Sequence, residues 1–151
     1  MARYEFREDP RGGVGMEVIA RDERELFNAA AAAMCLFMWE QDRVEERVEV
    51  PVSWYGFDLG TTIVGLLSEL LYRTDVDGWV FKRFVIRDLG EVDELDERHR
   101  RKQLKVTGTA YGEPFDPERH RRRFPVQAVL LPKLKVKAVE EGLRLYCVLD
   151  A

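Results

Sequence analysis

Cysteine and histidine are scarce in this 151-residue chain, each occurring only twice, and the shortage removes several classes of function. Cys35 and Cys147 stand alone without a CxxC pair, so they read as reduced core thiols and not as a disulfide framework or a zinc knuckle. With His99 and His120 as the only imidazoles, a three-histidine metal centre is excluded. No Ser-His-Asp, Cys-His or Gly-x-Ser-x-Gly arrangement can be assembled either. Long apolar runs are also missing. The longest uncharged stretch, Leu26 to Trp39, falls short of the ~20 residues that cross a bilayer. The opening MARYEFREDPRG has no apolar stretch of signal-peptide length. The expectation is a cytoplasmic protein with no membrane contact. Positive charge is not in excess: 24 Lys+Arg face 28 Asp+Glu, for a formal net charge of -4. The molecule as a whole is not the basic body that coats nucleic acid, so any such contact must be local.

What is present reads as one domain over residues 1–151, a length that supports a single core without a staple. ERELFNAAAAAMCLFMW (residues 23–39) places Leu26, Phe27, Ala30, Ala33, Met34, Phe37 and Met38 on one helical stripe. Asp22 stands in the cap position, with Glu23 and Glu25 in the first turn. A second helix is expected from about Asp58 to Arg73, with Ile63, Leu66, Leu67, Leu70 and Leu71 on one face. The rest leans to strand. Val14, Met16, Val18 and Ala20 alternate, as do Leu134, Val136 and Ala138 against Lys133, Lys135 and Lys137. After a Glu140-Glu141-Gly142 turn, Leu143, Leu145, Cys147 and Leu149 form one face, which puts Arg144, Tyr146 and Asp150 on the other. Strands with only two main helices imply an α+β fold: an antiparallel or mixed sheet with the helices packed on it. The charged block at residues 91–102 fits a solvated strand pair, a loop or a short helix.

Three constellations are candidates for chemistry. DPRGGVG (residues 9–15) resembles a phosphate loop only in its glycines. It lacks GxGxxG and GxxxxGK spacing and leads into a strand instead of a helix, so it reads as a turn. The basic runs Arg98-His99-Arg100-Arg101-Lys102 and Arg119-His120-Arg121-Arg122-Arg123 would give a salt-sensitive RNA contact if they converged, although no aromatic residues interleave them. Glu113, Asp116 and His120 are residue types that bind metals or shuttle protons. Their bland alternative is a helix or turn start, with Asp116 as cap and Pro117 following.

Several segments together resemble the archease family, and the likeness covers nearly the whole chain. They are Tyr4-Glu5-Phe6, the Val14-Gly15 strand followed by RELFNAAAAAM, LLSELLYRTD (residues 66–75), A-Y-G-E-x-x-D-x-x-x-H (Ala110 to His120), Ala128-Val129 and Val148-Leu149-Asp150. The resemblance implies a small α+β protein without catalysis of its own. It would activate a GTP-dependent tRNA-splicing RNA ligase, promoting the ligase's guanylylation and repeated turnover. It also implies a divalent metal, Ca or Mg/Mn, held by acidic residues at one end of the molecule. Asp150, with Ala151 beside it, matches the C-terminal family ligand. Two motifs depart. The family's His-Thr-Ala-Asp, whose Asp is a ligand, is replaced by Pro10-Arg11-Gly12-Gly13, and Lys-Ala-Val-Thr-Tyr-His by Gln127-Ala128-Val129-Leu130-Leu131-Pro132. The expectation is a weakened metal site with Gly13 in an acid's place, and Glu8, Asp9 or Glu17 as substitutes. A metal-independent protein- or RNA-binding module of chaperone-like character is the alternative reading.

Overall fold

The computed structural model describes residues 2–95 and 100–151. The strands are β1 (Arg3–Glu8), β2 (Val14–Ala20), β3 (Val48–Gly56), β4 (Trp79–Leu95), β5 (Arg100–Pro114), β6 (Ala128–Val139) and β7 (Gly142–Asp150). Helix α1 (Glu23–Met38) lies between β2 and β3, and α2 (Leu59–Asp77) between β3 and β4. The α+β class is as expected, and the strands divide into two sheets, ordered β1-β2-β7-β6 and β3-β5-β4. Every described pairing is antiparallel.

Local chemistry sets the helix limits. The Asp22 carboxylate accepts from Glu25 N and starts α1, while Asp58 and Thr61 close a reciprocal capping box on α2. The second helix outruns its expected end at Arg73 by about one turn. It stops where Gly78 takes a left-handed conformation, φ 75°, and its N–H caps Arg73 O. Thr74 and Asp75, which resemble turn residues, are carried through because the helix is already anchored by buried Ile63, Leu66, Leu67 and Leu70. Of the charged block at residues 91–102, the described part is a strand pair, with Glu91 opposite Leu104 and Asp93 opposite Lys102. Residues 96–99, including His99 and Arg98, lie outside the described residues.

The core is a single cluster in which Phe27, Met34, Ile63, Leu66, Phe84 and Leu145 are essentially unexposed. Helix α1 packs on β4 and β2, and α2 on β3 and β6, so each helix ties one sheet to the other. Met16, Val18 and Ala20 of β2 meet Cys147, Leu145 and Leu143 of β7 in register on the core side. The other side of that sheet therefore carries half-exposed Glu17, Arg144 and Tyr146 over a buried Gly15, the one-wet-face arrangement of an antiparallel sheet. Both thiols are buried, and burial pushes each up to about 12.

Candidate functional site

The DPRGGVG segment forms a tight turn between β1 and β2. Asp9 O accepts from Gly12 N at 2.9 Å, and Asp9 N donates to Gly13 O at 3.1 Å. Gly12 and Gly13 have φ of 107° and 80°, a region that side chains disfavour. Asp9 is the focus of the turn. Its Oδ1 accepts from Arg11 N at 2.9 Å and from Lys133 Nζ at 2.6 Å, and its Oδ2 accepts from Tyr146 Oη at 2.5 Å. The Asp9 side chain is only 7% exposed. The Lys133 ammonium, then the Tyr146 hydroxyl, hold its carboxyl well below the usual carboxylate range, and the same bond to Asp9 raises the Tyr146 phenol. Gly15 makes this possible. A Cβ there would lie 2.4 Å from Tyr146 Oη, so only glycine lets the ring lie across β2 to reach Asp9.

Gly13 is not an empty berth for an acid. A Cβ on it would meet Val148 Cγ1 at 2.7 Å and Leu149 O at 2.9 Å, on a backbone already at positive φ. An aspartate at position 13 would therefore be crowded and strained on the present backbone. Asp150 ends β7 opposite Ala128, its carbonyl accepts from Gln127 N at 2.7 Å, and its side chain and Ala151 are exposed. Of the acids weighed as substitutes, Glu8 is exposed, and the other two are engaged elsewhere. Glu17 Oε2 accepts from Arg144 at 2.7 and 3.0 Å and lies 3.5 Å from Arg7, and Asp9 is held by Lys133. Among the described residues no three His, Cys, Asp or Glu side chains assemble into a metal-holding group. The donor set does not fit a resident divalent ion, which prefers about six or more oxygens, and Asp150 with the terminal carboxylate supplies too few.

Glu113, Asp116 and His120 do come together, at the far end of β5. Asp116 N donates to His120 Nδ1 at 2.8 Å, which assigns the imidazole proton to Nε2. That nitrogen lies 3.0 Å from Glu113 Oε2 but out of line for a hydrogen bond. Glu113 is buried, accepts from Glu45 N at 2.6 Å and pairs with Arg119. Burial, then the Arg119 charge, hold His120 below the ordinary histidine range, against a smaller opposing pull from Asp116. Asp116 caps no helix. Its Oδ1 accepts from Glu118 N at 2.9 Å and its carbonyl from His120 N at 2.8 Å, giving one isolated turn. The segment's role is to clasp α1. Glu40 N donates to Arg121 O, Arg123 N to Met38 O, and the Arg122 guanidinium lies 4.9 Å over the Trp39 ring.

Of the second basic run, Arg119 pairs with Glu113, Arg122 lies over Trp39 and Arg123 Nη1 donates to Leu36 O, while the Arg121 side chain is exposed; of the first run, residues 98 and 99 are outside the described residues. Sequence reading passed over a different basic collection. Arg7, Arg11, Lys133, Lys135, Lys137 and Arg144 line one groove of about 390 Å³ on the open side of the β1-β2-β7-β6 sheet. The lysine alternation and the facing of Arg144 with Tyr146 were both visible in the sequence, but the register that joins them was not.

A profile of the archease protein family (MTH1598/TM1083) matches residues 4–151. The chain is 30% identical over 118 residues to "Protein archease" of Pyrococcus furiosus, covering 78% of this chain and 77% of that one. It is 32% identical over 125 residues to "Protein archease" of Methanopyrus kandleri, covering 83% and 82%. The solution structure of Methanobacterium thermoautotrophicum protein 1598 superposes with a TM-score of 0.74 at 26% identity, covering 98% of each chain.

Proposed function

The chain belongs to the archease family, and we propose that it acts as a non-enzymatic activator of a GTP-dependent tRNA-splicing RNA ligase. The observation that carries this reading is the extent of the match, which runs from residue 4 to residue 151. The site chemistry is compatible with it: His120 is packed into a clasp and both thiols are buried.

In this reading the protein works through a surface presented to the ligase. Polar groups near another protein's reacting centre stabilise charge that develops in phosphoryl transfer. The turn around Asp9 and the β7 terminus supply a rigid polar end for such a contact, fixed by bonds from Lys133 and Tyr146. The test is ligation by the cognate ligase with substoichiometric enzyme, with and without this protein. The expected result is faster guanylylation of the ligase and many turnovers per enzyme molecule; a single turnover in both cases removes the activator reading.

A further inference from the structure

The groove on the open face of the four-stranded sheet concentrates positive charge on a molecule whose formal net charge is -4. Six cationic side chains line it, against Asp9 within it and Glu17 beside it. Three of the cations have a carboxylate partner in place: Lys133 has Asp9, and Arg144 and Arg7 share the single charge of Glu17. Arg11, Lys135 and Lys137 have no carboxylate partner among the described residues. They remain available to an outside anion.

Their arrangement is regular. Lys135 stands opposite Tyr146 and Lys137 opposite Arg144, so the two lysines point the same way at the two-residue spacing of a strand, roughly 6 to 7 Å. The paired cations sit on either side of them, and the Tyr146 ring, with Arg7 5.3 Å over it, forms part of the wall. None of the exposed large apolar side chains, such as Trp54, Tyr55 or Phe57, lines this groove. A protein partner would need apolar anchors in the centre of its contact. A row of like charges without such anchors suits a partner whose negative charges repeat along a chain.

We propose that this groove binds the phosphodiester backbone of a nucleic-acid strand, with Arg11, Lys135 and Lys137 as the phosphate contacts. The site is separate from the Arg119 to Arg123 run, none of which lines this groove. It also does not depend on the activator reading, since it requires no ligase.

The test is fluorescence anisotropy of the protein alone with labelled 20-nucleotide oligo-U RNA and oligo-dT, titrated at several salt concentrations. Binding of either oligomer is expected, with a log-log salt slope of about -2 for three contacts at ~0.7 per phosphate on a single strand. The Lys135→Ala/Lys137→Ala variant is expected to lose about 1.4 of that slope and roughly ten-fold in affinity at low salt. Lys135 and Lys137 are exposed, so the variant keeps the fold, which circular dichroism checks. Lys102→Ala/Lys105→Ala removes the same charge from the other sheet and is expected to leave binding unchanged. No binding at 50 mM salt, equal loss in both double variants, or equal binding of a polyglutamate of matched charge overturns the proposal. Because no ligase is present, failure here leaves the activator reading standing, and failure of the ligation assay leaves this one standing.

Discussion

Lys133 Nζ lies 2.6 Å from Asp9 Oδ1, joining residues 124 positions apart into a buried-edge ion pair beside the β1-β2 turn. The ammonium stands where an external cation would otherwise meet this carboxylate.

Replacing Lys133 by Met removes the main cause of the low Asp9 pKa, so that value rises toward the ordinary carboxylate value. A depressed carboxyl contributes stability that is present above its unfolded pKa, about 3.9, and lost as pH falls through its folded value. Lys133→Met is thus expected to be less stable than wild type at pH 7 and to lose less stability on acidification below pH ~4. Denaturant titrations at pH 7, 4 and 2.5 check both halves of this.

His120 shifts in the same direction as Asp9, but from a different cause and in a higher pH window. Its folded pKa is lowered by burial, so the native state resists protonation that the unfolded chain accepts at about 6.5. Stability is full above that pH and declines as pH falls below it. The gap in Tm between wild type and His120→Gln should narrow from pH 7.5 to pH 5.5; a constant gap would contradict the buried neutral imidazole.

Glu113 is the anchor of the same clasp. Truncation to Ala strands Glu45 N and Arg119 at once, and an expected cost of about 2 to 4 kcal/mol follows from leaving buried polar partners unmatched. Glu118→Ala, an exposed change two residues beyond Asp116, should stay within about 0.5 kcal/mol. Urea unfolding distinguishes the two.

Divalent-metal affinity should be weak. With Asp150 and the terminal carboxylate as the free acidic donors near β7, calorimetry with Ca²⁺ or Mn²⁺ is expected to give a Kd of roughly 10⁻³ M or weaker. Gly13→Asp is expected to lower Tm without tightening binding, since its Cβ would lie 2.7 Å from Val148 Cγ1 at positive φ. Micromolar binding abolished by Asp150→Ala would reverse the fit argument.

Cys35 and Cys147 should be silent to thiol reagents in the folded protein at pH 8, because burial holds both thiols near 12 and only thiolate reacts. Two equivalents should appear in denaturant.

Periodicity alone reveals α1 and its Asp22 cap, the core face of β2, and the parity that sends Arg144, Tyr146 and Asp150 to one side of β7. These follow from 3.6- and 2-residue repeats, which are local properties of the chain. The end of α2 was misplaced because packing of its apolar face outweighs the turn preferences of Thr74 and Asp75. The glycines of DPRGGVG marked a turn by composition. What each glycine serves was not legible: Gly13 avoids Val148 and Leu149, and Gly15 admits the Tyr146 ring, contacts made by residues more than a hundred positions away.

The sequence by itself determined the α+β class, the family and the face each alternating side chain takes, because neighbours along the chain set those features. The tertiary structure decided which charges meet. The irregular stretch of β6 between Leu130 and Lys135 carries Lys133 to Asp9, register sets Lys137 opposite Arg144, and residues 119–123 dock on the end of α1, tying Arg119, Arg122 and Arg123 into internal contacts. Charge pairing depends on distance in space, and only the pairing of β1, β2, β7 and β6 sets those distances.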